Sequence, residues 1–378
     1  MLKPAKLVPV ETGHFSLLIK PSGADCNLRC AYCFYLKKSA LYPGSALHRM
    51  SGDCLEKCIA SYMQTEQRVY SFGWQGGEPS LMGLGFFQQA VTLQQQYGRS
   101  GAVISNGFQT NGTMLSGSLA EFFTQYKFLV GLSLDGPEHI HNRYRRTIGG
   151  RGSFKNAMGG IKTLRRRQGE FNILTLVSEA NVHHAGEVYD FLRNEDLRYH
   201  QYIPCVEFDS QGKRQPWAIT GEDWGRFLLE LFSRWYPRDI RRVSIRLFDS
   251  ILNYLVYGQH NVCSMGNSCD HYFLVEHTGD IYPCDFFVDS ELKLGNIQTD
   301  SWQTLRASPA YGEFAARKQI LHTPCSDCEL CTYCGGDCPK YRTRDGRSFL
   351  CEGWKLFYAE TLPVFRDLAK QLTAQPHT

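Results

Sequence analysis

The sequence predicts an α/β protein in which a partial (β/α)6 TIM-like barrel precedes a small cysteine-rich domain with a β-hairpin and a C-terminal helix. Two observations lead to this fold class. Up to about residue 240, short apolar runs alternate with amphipathic stretches. Beyond it, nine of the 15 cysteines are crowded between residues 263 and 351. We therefore expect a barrel domain over 1–240 and a cysteine-rich domain over 241–378.

Six apolar runs are predicted strands, and their alternation with helical patterns indicates a parallel sheet with right-handed crossovers. The strands are expected at 15–20, 69–74, 103–109, 128–134, 171–177 and 199–203. The helices between and after them are expected at 52–64, 85–96, 116–125, 154–168, 185–194 and 222–235. Six units of this kind suit a partial barrel better than a closed one of eight strands.

Composition excludes several classes of protein. The 378 residues are 43% hydrophobic with a net charge of +4, which is too balanced to indicate nucleic-acid binding. We expect a solvated helix face at the arginine run 165–167. No stretch approaches the ~18 apolar residues of a membrane span, and the first residues lack a signal-peptide core. Fifteen cysteines without an export signal favour metal ligation in a reducing compartment, so we expect a cytoplasmic protein.

A C-x3-C-x2-C run formed by Cys26, Cys30 and Cys33 follows the first predicted strand. Three thiolates this close can bind three irons of a cubane iron–sulfur cluster and leave the fourth iron open. An open metal position is typical of a reactive site rather than a structural one. A zinc knuckle is the alternative use of the same residues, although structural zinc prefers paired C-x2–4-C sets.

Polar motifs follow the next three strands at their C-terminal ends, where the reacting groups of βα barrels gather. They are Gln-Gly-Gly-Glu-Pro at 75–79, Gln-Thr-Asn-Gly at 109–112 and Ser-Leu-Asp-Gly at 133–136. Glycine pairs let the backbone approach a ligand closely, although a pair alone is usually a turn. Asn111 and Asp135 are equally compatible with turns and with ligand binding.

The distal cysteines number enough for two further clusters. They are Cys263, Cys269, Cys284, Cys325, Cys328, Cys331, Cys334, Cys338 and Cys351. Eight thiolates suffice for two fully ligated cubanes, and two four-thiolate zinc sites are the alternative. Residues 273–282 alternate about Thr-Gly-Asp, which predicts a hairpin. We expect Cys54, Cys58 and Cys205 to be bystanders.

The first cysteine run and the Gly-Gly-Glu-Pro segment resemble the signature of the radical S-adenosylmethionine (radical SAM) enzymes, and the distal cysteines resemble the SPASM auxiliary-cluster domain. Nearly the whole chain is similar to the anaerobic sulfatase-maturating enzymes. The motifs that carry this resemblance include Cys-x3-Cys-Ala-Tyr-Cys-Phe-Tyr at 26–35, Trp-Gln-Gly-Gly-Glu-Pro at 74–79, Leu-Val-Gly-Leu-Ser-Leu-Asp-Gly-Pro at 129–137 and Tyr-Pro-Cys-Asp-Phe at 282–286.

The resemblance implies three [4Fe–4S] clusters and S-adenosylmethionine (SAM) as cofactors. The first cluster would use Cys26, Cys30 and Cys33, with SAM on its open iron. The auxiliary ligands would interleave, with Cys263, Cys269, Cys284 and Cys338 in one set and Cys325, Cys328, Cys334 and Cys351 in the other. The chain departs from the family in a short connection from Cys338 to Cys351 and in the added Cys331, whose spacing would let it replace Cys334.

The same resemblance assigns roles to single residues. Cofactor contacts would come from Tyr32, Gly77, Ser133, Arg145 and Val206. Asp285, immediately after a cluster ligand, would be the general base, whereas without the resemblance a capping carboxylate is the simpler interpretation. Tyr35 and Gln75 would lie near the substrate cavity.

The activity implied is oxygen-independent oxidation of a sulfatase cysteine or serine to Cα-formylglycine. Two alternatives remain at this stage: another SPASM-type peptide modification such as thioether or carbon–carbon crosslinking, and a non-enzymatic iron–sulfur electron carrier. Only 14 residues precede the first predicted strand, which favours the sulfatase reaction over crosslinking enzymes with an added N-terminal domain. The expected partners are a C/S-x-P-x-R-like segment of a sulfatase and a low-potential donor such as flavodoxin or ferredoxin. We expect a monomer without nucleic-acid or membrane partners.

Overall fold

The structure, a computed structural model, describes residues 14–44, 47–321 and 323–374. One ten-stranded sheet runs through it in the order β10-β9-β8-β1-β2-β3-β4-β5-β6-β7. The strands are β1 (Ser16–Lys20), β2 (Val69–Trp74), β3 (Val103–Thr110), β4 (Leu129–Ser133), β5 (Phe171–Val177), β6 (Tyr199–Pro204), β7 (Ser244–Ile245), β8 (Tyr272–Glu276), β9 (Asp280–Tyr282) and β10 (Gly295–Asn296).

Helices connect the parallel strands and cover the sheet. They are α1 (Gly52–Met63), α2 (Gly83–Tyr97), α3 (Gly117–Gln125), α4 (Glu138–Tyr144), α5 (Phe154–Arg166), α6 (Ala185–Asn194), α7 (Gly221–Trp235), α8 (Arg246–Tyr257), α9 (Trp302–Arg306), α10 (Pro309–Ala316), α11 (Thr323–Ser326), α12 (Cys331–Cys334) and α13 (Cys351–Ala374). Ser51 and Ser116 cap α1 and α3, and Thr220 forms a capping box with Asp223 at α7.

All six predicted strands are present, and they pair in parallel from β1 to β6, which confirms the α/β class of the first domain. Alternation of buried and partly exposed side chains explains why these segments form strands. In β2, for example, Tyr70, Phe72 and Trp74 are buried while the residues between them are partly exposed. The rings of Phe72 and Trp74 pack against α1 and α2. Because the strands are parallel, their C-terminal ends lie at the same edge of the sheet.

The sheet extends beyond the six predicted strands. The short β7 adds to β6, and β8, the first strand of the predicted hairpin, pairs in parallel with β1. In that register Leu17 faces Phe273 and Ile19 faces Val275, and all four side chains are buried. An exposed apolar edge strand is costly, and the hairpin covers this one. The division of the chain at residue 240 stays a prediction, since one sheet runs through both parts.

The C-terminal helix α13 confirms the predicted final element. It packs against α7 and α8 through the rings of Phe232, Phe248, Phe357 and Phe365. A Cβ on Gly225 would lie 2.7 Å from the Cα of Gly353, so two glycines allow α7 and α13 to approach closely. None of the helices in the described part of the chain is long and apolar enough to span a membrane.

Candidate active site at the strand ends

The first three cysteines lie in the loop that leaves β1. The backbone N–H of Leu28 donates to Cys26 Sγ at 3.4 Å, and that of Cys33 donates to the Cys30 carbonyl at 3.1 Å. Burial is the main cause that raises the pKa of Cys26 to about 12 and that of Cys30 to about 11, and the charge of the neighbouring Cys33 contributes to both shifts. Buried thiols with raised pKa values fit metal ligation, because bound iron stabilises the thiolate form.

The donor set fits a cluster rather than a single ion. Within the described ranges, no three or more cysteine, histidine or carboxylate side chains are gathered closely enough to hold one metal ion. A four-iron cluster spreads its ligands, since each thiolate binds a different iron. The loop therefore supplies three soft ligands for three irons, in agreement with the open-iron arrangement expected from the spacing.

The Gly-Gly-Glu-Pro loop is fastened to the loop of the first cysteines. Gly77 N–H donates to the Gly23 carbonyl and Glu78 N–H to the Asp25 carbonyl, both at 2.8 Å. A Cβ on Gly77 would lie 2.0 Å from the Asp25 carbonyl oxygen, so only glycine fits. The close approach that the sequence indicated for a ligand is thus made first to the protein's own backbone. Gly77 as a cofactor contact stays a prediction.

Glu78 is the centre of this arrangement, and sequence reasoning assigned it no role of its own. Its fully buried carboxylate accepts from Ser80 N–H at 3.0 Å, Thr110 Oγ1 at 2.8 Å and Asn111 N–H at 2.8 Å. Burial raises the Glu78 pKa, and these hydrogen bonds oppose the shift. Because Ser80 follows β2 and Thr110 ends β3, one carboxylate joins two strand ends beneath the cysteine loop.

Asn111 lies at the first cysteine site and also accepts a hydrogen bond from Thr113 N–H at 2.9 Å, so it combines a turn contact with a position beside the cysteines, and a ligand-binding role stays a prediction. Its Nδ2 donates to Asn27 Oδ1 at 2.8 Å and lies 3.7 Å from Cys26 Sγ. Hydrogen bonds to sulfur are one means by which a protein adjusts the reduction potential of an iron–sulfur cluster. At the end of the neighbouring β4, Ser133 Oγ accepts from Gln109 Nε2 at 3.1 Å.

Tyr32 and Arg145 meet at Asp135. Arg145 Nε lies 3.1 Å from Asp135 Oδ2, the Tyr32 hydroxyl donates to the same oxygen, and Arg145 lies over the Tyr32 ring. Burial lowers the Arg145 pKa, but the charges of Asp135, Tyr32 and Cys30 and the hydrogen bond to Asp135 together raise it by more, so the net shift is upward and the guanidinium stays charged. This places a fixed cation beside Cys30, where a ligand carboxylate would find it.

The remaining cofactor candidate, Val206, is buried two residues past β6. The segment is fixed by Cys205 N–H, which donates to the Val177 carbonyl at 2.8 Å, and by Ile219 N–H, which donates to the Cys205 carbonyl. Ser133 is the last residue of β4 and Val206 lies just past the end of β6, so both are on the cysteine-loop edge of the sheet. Cys54, Cys58 and Cys205 are buried, as expected of bystanders.

Asp285 lies across β1 from the first cysteines, on the loop after β9. Tyr272 donates its hydroxyl to Asp285 Oδ1 at 3.0 Å, and Lys20 Nζ lies 3.9 Å from Oδ2. Lys20 is 1% exposed and ends β1, opposite Glu276 at the end of β8. Its ammonium lies 4.2 Å from the centre of the Tyr35 ring, whose hydroxyl donates to Glu276.

The electrostatics of Lys20 identify what surrounds it. Burial lowers the Lys20 pKa, while the charges of Asp285, Glu276, Cys33 and Cys284 raise it. The buried Lys20 ammonium thus interacts electrostatically with Cys33 of the first cysteine set, with Cys284 of the first distal set and with the candidate base Asp285. Sequence reasoning missed Lys20 and Glu276; the available signal was a charged residue ending each of two apolar strands.

Four distal cysteines lie close enough to perturb one another. Burial raises the pKa of each, and thiolate charges add to it: Cys338 acts on Cys284, and Cys263 acts on both Cys269 and Cys338. Lys318 opposes the shift at Cys269 and Cys338, and its buried ammonium donates to the Ser264 carbonyl at 2.6 Å. This grouping is the first interleaved set.

The other four expected ligands couple in the same way. Besides burial, Cys328 and Cys351 raise the Cys325 pKa, and Cys351 contributes to raising that of Cys334 to about 12. Cys331 acts on both Cys325 and Cys334, so the extra thiol lies within this second set. The ligand sets stay predictions, and the structure leaves both Cys331 and Cys334 next to the same site.

Close backbone contacts hold the two sets together. A Cβ on Gly335, which has a φ of +57°, would lie 2.5 Å from the Met265 carbonyl oxygen. Asp337 accepts from Cys338 N–H at 2.7 Å and from Trp354 Nε1 at 2.8 Å. Residues flanking ligands of one set are therefore packed on residues flanking the other.

Comparisons with known proteins agree with this geometry. Residues 21–192 match the model of the radical SAM superfamily, and residues 263–329 match that of the SPASM iron–sulfur cluster-binding domain. The fold and site thus define a radical SAM enzyme with auxiliary iron–sulfur clusters.

Relatives across the whole chain give the particular family. The chain is 36% identical to the serine-type anaerobic sulfatase-maturating enzyme of Bacteroides thetaiotaomicron, over 95% of this chain and 92% of that relative. It is 34% identical to the cysteine-type enzyme of Clostridium perfringens, over 94% and 99% of the two chains. It belongs to the anaerobic sulfatase-maturating enzymes.

Solved structures support the same assignment. The structure of anSMEcpe with bound AdoMet and Cp18Cys peptide superposes with a TM-score of 0.87 at 33% identity, covering 95% of this chain and 99% of that one. Streptococcus suis SuiB, with a TM-score of 0.62 at 16% identity, shares the fold. The expected class, a formylglycine-generating radical SAM enzyme with SAM and three [4Fe–4S] clusters, is confirmed.

Proposed function

We propose that this chain oxidises one cysteine or serine of a sulfatase polypeptide to Cα-formylglycine, with Asp285 as the base that takes the substrate proton. The observation that carries the proposal is the position of Asp285. It is joined to the first cysteine site through Lys20, and it directly follows Cys284 of the first distal set. A substrate side chain between them would face a hydrogen-abstracting centre, a base and an electron acceptor at once.

Binding of SAM uses the polar groups around the first cysteine loop. Arg145 meets the cofactor carboxylate, since its guanidinium is fixed by Asp135 and its charge is secured. Ser133 offers a hydroxyl, Tyr32 an aromatic wall, and the backbones of Gly77 and Val206 contact the amino group and the adenine. When bound and reductively cleaved, the cofactor would supply a 5′-deoxyadenosyl radical to abstract hydrogen from the substrate Cβ.

Asp285 then completes the oxidation. The substrate loses a hydrogen atom from Cβ, a proton from its thiol or hydroxyl, and one electron, so two electrons leave in total. Asp285 takes the proton, and the distal cysteine sets hold the acceptor for the electron. A serine yields the aldehyde directly, whereas a cysteine yields a thioaldehyde that water converts to the aldehyde with release of sulfide. A carboxylate can deprotonate a thiol here because loss of the electron acidifies it.

Lys20 supports proton transfer by fixing the Asp285 carboxylate. Its ammonium lies 3.9 Å from Asp285 Oδ2 in a nearly dry environment, where Coulomb attraction is strong. Tyr272 fixes the other carboxylate oxygen at 3.0 Å. Held from both sides, the carboxylate keeps one orientation, and placement of the substrate near Tyr35 and Gln75 stays a prediction.

The partners follow from the reaction. A flexible segment of C/S-x-P-x-R type enters at the strand-end edge of the sheet, and a low-potential flavodoxin or ferredoxin supplies the electron that starts each turnover. The protein acts as a cytoplasmic monomer, in keeping with the reduced thiols that its clusters require.

The test uses two peptides that differ only in the target residue, Cys or Ser. The reduced enzyme is incubated anaerobically with SAM and each peptide, and aldehyde and 5′-deoxyadenosine are quantified by mass spectrometry. The proposal requires aldehyde from at least one peptide in step with 5′-deoxyadenosine. A crosslinked peptide, or 5′-deoxyadenosine without any oxidised peptide from either, would contradict it.

A further inference from the structure

One basic surface lies directly against the first cysteine loop and has no role in the reaction described above. We call it the arginine face and define it by Arg29, Arg146, Arg151 and Ile148. All four residues are exposed, and Ile148 shows 66% of its surface to solvent. An isoleucine this exposed among three arginines forms an apolar tip within a cationic rim.

The arginine face is built onto the cysteine loop by backbone contacts. Arg29 N–H donates to the Arg146 carbonyl at 2.8 Å, and Leu28 and Thr147 form an antiparallel bridge. The tip itself is a tight turn, because Thr147 N–H donates to the Arg151 carbonyl at 2.8 Å. These backbone hydrogen bonds fix the position of the arginine face relative to the first cysteine loop.

The cations of this face are not neutralised by the protein. No carboxylate among the described residues forms an ion pair with Arg29, Arg146 or Arg151, whereas Arg145, one residue away, is paired with Asp135. Three unpaired guanidiniums raise the local positive potential and attract an acidic surface at long range. Arg145 therefore belongs to the proposed cofactor site, whereas the three arginines of the arginine face are directed toward solvent.

We infer that the arginine face is the docking surface for the acidic, low-potential electron-transfer protein that reduces the first cluster. Arg29 and Ala31 are exposed on either side of the ligand Cys30, so a partner seated here lies one residue from the cluster. The inference rests on the proposed function, which requires an electron at that cluster. Ile148 supplies the apolar contact and the arginines supply steering and orientation.

The surface at the second distal cysteine set has the opposite character. Asp327 and Glu329, between the ligands Cys325 and Cys334, are both exposed. An acidic donor would be repelled from these carboxylates and attracted to the arginine face. Surface charge thus directs the acidic donor to the first cluster and away from the second distal cysteine set.

The test compares two electron sources in the holoenzyme. Arg29→Glu/Arg151→Glu reverses two charges while keeping Arg146, whose Nη1 donates to the Gly150 carbonyl and closes the turn. Lys162→Glu/Arg166→Glu on α5 is the matched control, since both residues are exposed and neither forms an ion pair within the described part of the chain. Formation of 5′-deoxyadenosine is measured with dithionite and with increasing reduced flavodoxin.

With dithionite, both variants should match the wild-type rate. With flavodoxin, the arginine-face variant should need about tenfold more donor for half-maximal rate, and its rate should depend less on ionic strength than that of the wild type. The control should behave as wild type.

Three outcomes would overturn the inference. The first is an unchanged flavodoxin requirement in the arginine-face variant. The second is an equal loss with dithionite, which would make these arginines supports of the cluster. The third is an altered KM for the peptide with dithionite as the reductant, which would assign the face to the sulfatase. Failure of the proposed function is separate, because it would appear as absent aldehyde in the wild-type enzyme with dithionite.

Discussion

The first cysteine loop and the second distal cysteine set are built by different means. The first lies on strand ends and is braced by the buried carboxylates of Glu78 and Asp135. The second lies in a segment, 323–350, whose regular structure is limited to α11, α12 and one short 3-10 turn, and its last ligand, Cys351, begins α13. There the Arg342 guanidinium links separate backbone segments, because it donates to the carbonyls of Gly336, Arg317 and Ile320.

The difference shows two ways to organise an iron–sulfur site. A sheet preorganises the first site without its cofactor, because the strands fix every loop that meets there. We expect the second site to depend on its cluster as a cross-link, because metal binding and local folding are coupled where the protein supplies little regular structure. Changes in the first region should therefore alter chemistry, and changes in the second should alter local order.

Replacing Cys26, Cys30 and Cys33 together by alanine should have the largest effect. SAM cleavage should be abolished, and iron should fall by about four per chain from about twelve. The melting temperature should change little, because the sheet holds this loop. Quantified 5′-deoxyadenosine and iron are the measurements; continued 5′-deoxyadenosine formation would remove these cysteines from the site.

Asp285→Asn should uncouple the two half-reactions. Aldehyde formation should drop by roughly 10²–10⁴-fold, the usual worth of a positioned base, while 5′-deoxyadenosine continues. Asp289→Asn, an exposed neighbour on the same loop, is the matched control and should retain full yield. Equal loss of both products in Asp285→Asn would point instead to damage at Cys284.

Chelation of iron under anaerobic conditions tests the difference in preorganisation. Hydrogen exchange should rise at least about tenfold across 325–350, while amides of β1 to β4 keep their protection. A similar rise in both regions would mean that the barrel loop also needs its cluster to fold.

Lys20→Met should weaken the second half of the reaction. Loss of the ammonium 3.9 Å from Asp285 should lower kcat for aldehyde roughly tenfold, about 1.4 kcal/mol, with little change in peptide KM. Lys293→Met removes the half-exposed ion pair with Asp280 and serves as the control. A change in KM alone would assign Lys20 to peptide binding.

The smallest effect is expected at the extra thiol. Cys331→Ser should keep about twelve irons and stay within about twofold of wild-type activity, whereas Cys334→Ser should lose about four irons. The reverse pattern in iron analysis would exchange the two residues as ligand and bystander.

Sequence alone predicted the strands and the loops that follow them, because alternation of side chains and the position of polar motifs are local properties. It also predicted the hairpin, but not that β8 would pair with β1. That pairing joins residues 16 and 272, and no local pattern encodes such a contact.

The supporting residues of the site were hidden for the same reason. Glu78 acts through Thr110 and Asn111, which belong to the next strand, and Lys20 acts through Asp285 and Glu276 from the far end of the chain. Each is a buried charge that only tertiary structure satisfies. The pattern of cysteines, by contrast, is readable directly because ligand spacing itself carries the chemistry.

The most direct test of hydrogen abstraction at Cβ, coupled to oxidation of the same residue, is isotope transfer. A peptide with deuterium at Cβ of its target cysteine or serine is incubated with the reduced enzyme and SAM, and both products are examined by mass spectrometry. We expect deuterium in 5′-deoxyadenosine and one aldehyde for each 5′-deoxyadenosine formed. Aldehyde formed with unlabelled 5′-deoxyadenosine would contradict this mechanism.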